Sequence, residues 1–364
     1  ENGAEGDEFV DLHQKLSECQ AIEVSEKFTS SDVKQKRTNE APDGVRYLQH
    51  SLHSDLLEDK SIVDEIQNSL PKSFTSDITT KKLPQSQREY LLNLYNGRQF
   101  QKTLDLASQL LKKFKKSAFL YNIKGAANAE LGKFEAAVES YKIALLIQPN
   151  YTDALINLGT IFQDYSKFEE ATEAYKLALS FDPNNALATY NLGVVYQTQG
   201  RLNEALEAYG RAISLNSANA APYNNMAYVL KKQGQLAKAV EVYKTALLLI
   251  PNDAGLLNNL GNALKDQGLF KEAKETYEKA LLLSPNFAVT HNNMGQLLKH
   301  QGSLEEAKEF FKKAISLKPD YATAHHNLSF ALLNSGKIKE GLEKYEWRWK
   351  TPKGLLSNRH FLQP

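Results

Sequence analysis

Residues 254–287 read AGLLNNLGNALKDQGLFKEAKETYEKALLLSPNF, and residues 288–321 read AVTHNNMGQLLKHQGSLEEAKEFFKKAISLKPDY. Superposed, the two 34-residue stretches share Asn258 with Asn292, Asn259 with Asn293, Gly261 with Gly295, Lys265 with Lys299, Ala273 with Ala307 and Pro285 with Pro319. Outward from this pair the same classes return every 34 residues. Small residues recur at Gly125, Gly159, Gly193, Ala227, Gly261, Gly295 and Ser329. A second small position follows at Ala137, Ala171, Ala205, Ala239, Ala273, Ala307 and Gly341, with an aromatic four residues later from Tyr141 to Tyr345. Seven copies in register from Ala118 to about Trp349 make a repeat array, in which each unit needs its neighbours to bury its apolar face.

Each unit is numbered here from its first residue, Ala118 in the first. Positions 4, 7, 8 and 11 fall on one stripe at 100° per residue, which predicts a first amphipathic helix. Positions 20, 24 and 27 predict a second. Glycines at position 15 (Gly132, Gly200, Gly234, Gly268, Gly302, Gly336) mark the turn between them. A proline at position 32 in most units ends the second helix by disfavouring helix at the residue before it. Small residues at 8 and 20 allow close helix approach, and the aromatic at 24 is expected to fill the space between neighbouring units. Ser166 replaces a turn glycine and Ser217 a closing proline. A weaker unit at 84–117 precedes the seven.

The chain has 364 residues, 42% of them apolar and 24% charged, with a formal net charge of +1. That balance gives no global reason to expect nucleic acid or an anionic membrane as partner. The single cysteine, Cys19, excludes a disulfide framework within one chain and a multi-thiolate zinc site. No apolar run approaches the roughly 18 residues of a spanning helix, and a cytoplasmic location is expected. Residues 1–83 hold 17 acidic and 10 basic residues and read as a largely disordered acidic segment with one amphipathic stretch at 47–70.

The repeat pattern resembles the tetratricopeptide repeat. The resemblance implies an all-α, right-handed solenoid of seven or eight helix pairs whose first helices line a concave groove for a protein or peptide ligand. No phosphate-binding loop, zinc-protease motif or nucleophile elbow occurs, so neither catalysis nor a cofactor is expected of these residues. His291 and His325, at position 4 of adjacent units, are expected to be packing histidines rather than metal ligands.

The candidate site lies opposite the packing stripe. Position 6 is asparagine in six consecutive units: Asn157, Asn191, Asn225, Asn259, Asn293 and Asn327. Asparagine is a mediocre helix former, and nothing in the packing pattern requires it there. An amide row can grip the main chain of an extended peptide whatever its side chains. Such a ladder is similar to the repeat region of the protein O-linked N-acetylglucosamine transferases. Asn258 and Asn292 at position 5 broaden the stripe, and Lys231, Lys265 and Lys299 at position 12 flank it, which suits an acidic peptide. Lysine and asparagine serve that end in tetratricopeptide proteins that clamp chaperone C-termini, and the chain can be read as a stand-alone scaffold or co-chaperone-like adaptor.

The end of the array reads Tyr345-Glu-Trp-Arg-Trp349, followed by Arg359, Phe361 and Pro364. It resembles the junction in bacterial proteins whose tetratricopeptide repeats lead into a heptosyltransferase-like glycosyltransferase domain. The resemblance implies that 351–364 is a linker toward such a domain and that the array is its substrate-recognition region. On a continuous helix, Tyr345 and Trp349 would face the packing side and Trp347 would point outward. An uncapped array end would also offer a route to end-to-end oligomers.

Overall fold

The computed structural model describes residues 82–351. Both the acidic segment with its stretch at 47–70 and the linker after 351 lie outside the described residues. Sixteen α-helices follow one another in antiparallel pairs among the described residues. The first pair is α1 (Gln85–Asn96) and α2 (Phe100–Leu111). Seven units follow: α3 (Ala118–Glu130) with α4 (Phe134–Ile147), α5 (Thr152–Asp164) with α6 (Phe168–Phe181), and α7 (Ala186–Thr198) with α8 (Leu202–Leu215). Next come α9 (Ala220–Lys232) with α10 (Leu236–Leu249), α11 (Ala254–Asp266) with α12 (Phe270–Leu283), and α13 (Ala288–His300) with α14 (Leu304–Leu317). The last unit pairs α15 (Ala322–Asn334) with α16 (Ile338–Tyr345), which runs into a 3-10 helix, Glu346–Lys350. The fold is the all-α solenoid of stacked helix pairs that the resemblance implies.

The turns show why the pattern is so regular. Gly200 closes α7 at φ 76°, and the Arg201 amide donates back to the Tyr196 carbonyl at 2.9 Å. A left-handed residue in that place satisfies orphan carbonyls at the helix end. Ser166 takes the same conformation at φ 59° without being glycine. First helices begin on polar caps in several units: Asn185 accepts from the Ala188 amide at 2.9 Å, and Asp253 from Leu256 at 2.8 Å. Proline is less decisive than its recurrence implies. Asn216, before Ser217, sits at φ −149° and ψ 86°, close to the −131° and 85° of Asp182 before Pro183. Packing of the next unit holds that bend with or without the ring.

The core runs between the helices as three successive clusters of buried side chains. In five units the aromatic at position 24 lies against the glycine of its own unit: Tyr141 on Gly125, Tyr175 on Gly159, Tyr209 on Gly193, Tyr277 on Gly261 and Phe311 on Gly295. A methyl added to Gly261 would come within 2.5 Å of the Tyr277 ring, and one on Gly159 within 2.8 Å of Tyr175. The ring is therefore a wedge inside the helix pair, and at Tyr175 and Tyr209 its hydroxyl end also meets Asn191 and Asn225 of the next unit.

The array's end also differs from its expectation. Helix α16 stops at Tyr345, and the next five residues wind as a 3-10 helix. The tighter winding, about 120° per residue against 100°, advances the face on which each later side chain falls. Trp347 consequently turns inward and stacks flat on His325, ring centres 3.9 Å apart at 7°. Trp349 is the exposed tryptophan. The cause is Arg348, which occupies the position where the other units place a buried alanine and cannot enter that close helix contact.

Candidate functional site

Position 6 of each first helix lies at the seam between one unit and the preceding one. There the asparagine row makes a second kind of ladder. Asn259 donates through Nδ2 to Asn224 Oδ1 of the preceding unit at 3.0 Å. Asn293 donates to Asn258 at 2.9 Å, Asn327 to Asn292 at 2.9 Å, and Asn157 to Asn122 at 3.1 Å. Asn225 donates to the Tyr190 hydroxyl at 3.0 Å. Every one of these bonds spans 35 residues, one repeat plus one position. Asn191 is the exception: its counterpart is Ile156, and it reaches the Tyr175 hydroxyl of the preceding unit instead.

Inter-unit packing thus uses the amide at position 6, a role the sequence reading did not give it, although the first unit packs with Ile123 there. Asn258 and Asn292 are each 1% exposed. Asn258 Oδ1 also receives the Thr290 hydroxyl at 3.1 Å. These two hold the seam from beneath and do not broaden an open stripe, and Asn293 is buried as well. Asn157, Asn191, Asn225, Asn259 and Asn327 remain half-buried at the surface of the seam. The acceptors Asn122 and Tyr190 stand outside the 34-residue register of position 6, because the hydrogen-bonded offset is 35 residues.

Lys231, Lys265 and Lys299 follow one another along the array. Lys231 Nζ lies 2.9 Å from Asp266 Oδ2, and Lys265 Nζ lies 3.6 Å from Oδ1 of the same carboxylate. Burial, with Lys231 and Lys299 close by, lowers the pKa of the Lys265 ammonium against the pull of Asp266. Earlier units place glutamine at this position and use it internally. Gln197 Oε1 accepts the buried Tyr209 hydroxyl at 2.8 Å and Gln163 that of Tyr175 at 3.3 Å. In α11 that duty passes to Asn262, which accepts from Tyr277 at 2.8 Å, and Lys265 instead reaches Asp266 and, at 3.5 Å, Gln296 Oε1 of the next unit.

The histidines at position 4 brace successive units. His291 Nε2 is 2.8 Å from the Pro285 carbonyl, and His325 Nε2 is 2.9 Å from that of Pro319. Among the described residues no group of three or more His, Cys, Asp or Glu side chains could hold a metal ion. No helix among them is long and apolar enough to cross a membrane.

The fold recurs among solved structures. A chain of the APC/C hetero-tetramer Cut9–Hcn1 matches 69% of this chain at 20% identity and a TM-score of 0.57. This chain covers 49% of that one, about half its length. The C-terminal part of a TPR repeat-containing protein from Cytophaga hutchinsonii matches 66% of this chain at 16% identity and a TM-score of 0.53, with 99% of its own length covered. These likenesses show the fold alone. No curated protein matches the sequence. Residues 79–329, from the leading pair to the first helix of the last unit, match the family model described as the cilia and flagella-associated protein 70 C-terminal domain, and the chain belongs to that tetratricopeptide-repeat family.

Proposed function

We propose that the array is a protein-interaction scaffold that holds an extended peptide along its first-helix face, over Asn157, Asn191, Asn225, Asn259 and Asn327. The observation that carries this is the ladder itself. Bonds of 2.9–3.1 Å between asparagines of successive units fix each amide in orientation before any ligand arrives. An amide has two donor hydrogens and two acceptor lone pairs, and the ladder engages only part of that capacity. Pre-oriented donors and acceptors lose little freedom on binding, so more of each bond appears as affinity.

The recognition arm of a glycosyltransferase is a second reading, suggested by the Tyr345–Trp349 motif. That motif has a use within the array: Trp347 stacks on His325, and Arg348 lies over the Tyr345 ring at 4.4 Å. The binding array is the part of that reading carried forward.

A peptide-array screen against the full chain, followed by fluorescence anisotropy of the best binder, tests the proposal. The variant N157A/N259A/N327A should weaken that peptide at least about tenfold, from three lost bonds worth roughly 0.5–1.5 kcal/mol each. The titration is run at a temperature where circular dichroism shows the variant folded. Unchanged affinity in the folded variant would remove the ladder from the contact surface.

A further inference from the structure

The last section of the first-helix face is chemically unlike the rest. The Lys299 ammonium of α13 lies 5.7 Å from the Phe330 ring centre on α15. Phe330 meets His326 edge-on at 4.9 Å and Tyr345 of α16 at 5.8 Å, and His326 stacks on Tyr345 at 5.8 Å. The Arg348 guanidinium sits 4.4 Å over Tyr345 and 4.4 Å over Trp349. Four elements thus bring two permanent cations, an imidazole and three further rings into one continuous surface. Phe330 and Trp349 are the exposed rings, each 37% accessible. Nearby carboxylates are few: Asp266 is shared by Lys231 and Lys265, and exposed Glu346 reaches Arg348 at 2.8 Å.

Two features of this surface ask for the same ligand. Cations crowd a partly buried imidazole, which an anion would relieve. Exposed rings flank those cations, and an aromatic or apolar side chain would cover them. We infer that Lys299, His326, Phe330, Tyr345 and Arg348 form a recognition site for an acidic peptide segment that sets a carboxylate between Lys299 and Arg348 and an aromatic side chain on Phe330 or Trp349. The inference rests on the peptide-binding reading and names the class of peptide. The adjoining Lys265 and Lys231 extend the basic strip toward the centre of the array.

Proton uptake accompanies such binding. Burial, then Lys299 and Arg348, lower the pKa of the His326 imidazole. The groups facing it are Lys299 from α13, Phe330 from its own helix, Tyr345 from α16 and Arg348 from the 3-10 helix, the last paired with Glu346. A carboxylate arriving among them favours the imidazolium and raises that pKa. Affinity for the acidic peptide therefore rises as pH falls from about 8 to about 5.5, above the range in which the ligand itself is neutralised.

The probes are a fluorescein-labelled peptide Gly-Ser-Glu-Glu-Phe-Ser-Gly and its analogue with Gln for both Glu, titrated with the full chain by anisotropy. The Glu peptide should bind about tenfold tighter than the analogue at pH 6, as expected of a charge-assisted contact, and its advantage should shrink toward pH 8. K299Q/R348Q should abolish the preference, while H326N should retain it at pH 8 and lose its pH dependence. The pH titration of the wild-type chain stands even if a variant fails to fold. Equal binding of both peptides, or a preference unchanged in folded K299Q/R348Q, overturns the site. If both peptides bind alike and N157A/N259A/N327A weakens both, the site falls and the peptide-binding reading stands. If neither binds and the peptide array is blank, both fall.

Discussion

Repeat 5 (254–287) and the last repeat (322–350) carry the same pattern and use it differently. In repeat 5 the Tyr277 ring is fully buried over Gly261, its hydroxyl bonded to Asn262, and Ala280 lets the 14-residue α12 run to full length. In the last repeat Ser329 replaces the glycine, Arg348 replaces the alanine, and α16 has only 8 residues. Tyr345 is half-buried and faces His326, Phe330 and Arg348. Inside the array, Val240 is 6% exposed, and Lys308, at the same position, is covered with its ammonium 3.2 Å from Ser335 of the next unit. The matching Leu342 is 53% exposed, and Ile338 on the same helix 56%. A repeat's second helix is as regular as the unit that follows it; where none follows among the described residues, the aromatic position passes from core to surface.

Four measurements break or sharpen this comparison. The largest effect should come from alkali. Burial first of all raises the pKa of Tyr141, Tyr175, Tyr209, Tyr243 and Tyr277. Their ordinary value is near 10, so the unfolded chain ionises first and the stability they hold is lost as pH climbs above about 10. Each ring then costs about 1.4 kcal/mol per pH unit. Melting by circular dichroism should collapse between about pH 10 and 12, with a second rise in phenolate absorbance, beyond that of the exposed tyrosines, as the helices melt. That second rise arriving well before helix loss would mean that the buried rings are less enclosed than they are drawn.

Removing single rings tests the two repeats directly. Tyr277→Ala should cost about 3–5 kcal/mol in urea unfolding, and Tyr345→Ala less than about 1 kcal/mol because its ring keeps solvent contact. Similar losses would erase the distinction between interior and end. In the ladder, Asn258→Ala leaves the Asn293 amide and the Thr290 hydroxyl without their acceptor, a cost of about 1–3 kcal/mol. Asn191→Ala, at the unit whose row partner is Ile156, should cost less than about 1 kcal/mol. The smallest effect is a gain: Ser166→Gly, at φ 59°, should stabilise by about 0.5–1 kcal/mol. A loss there would show that the Ser166 side chain contributes more than its backbone conformation costs.

The fold was legible because its determinants are local and repeated. Glycine at the turn in six of the seven units, small residues at positions 8 and 20, and an aromatic at position 24 recur along the sequence. The site was less legible. Asparagine at position 6 was noticed for its regularity, and its seam partner was not, because that partner is Asn122, Tyr190 or Asn224 in different units and chemistry can recur where identity does not. The end failed for a different reason. Placing Trp347 outward assumed an unbroken 3.6-residue helix through Arg348, and winding is set by packing that one residue's size can alter. The surface joining Lys299 to Arg348 was illegible because it draws on two units and a change of helix type.

The 35-residue hydrogen bond has a bearing on how such a chain can lengthen. Donor and acceptor sit at fixed positions of every central unit, so a tandem copy of residues 254–287 would enter with both seams already complementary: its Asn259 equivalent would find an Asn258, and Asn293 would find the copy's own. Duplication or deletion of that block is silent to the seam. The same event at residues 152–185 would carry Ile156 into a second junction and leave another asparagine without its amide partner. The central units are interchangeable parts, whereas the second is tied to its address.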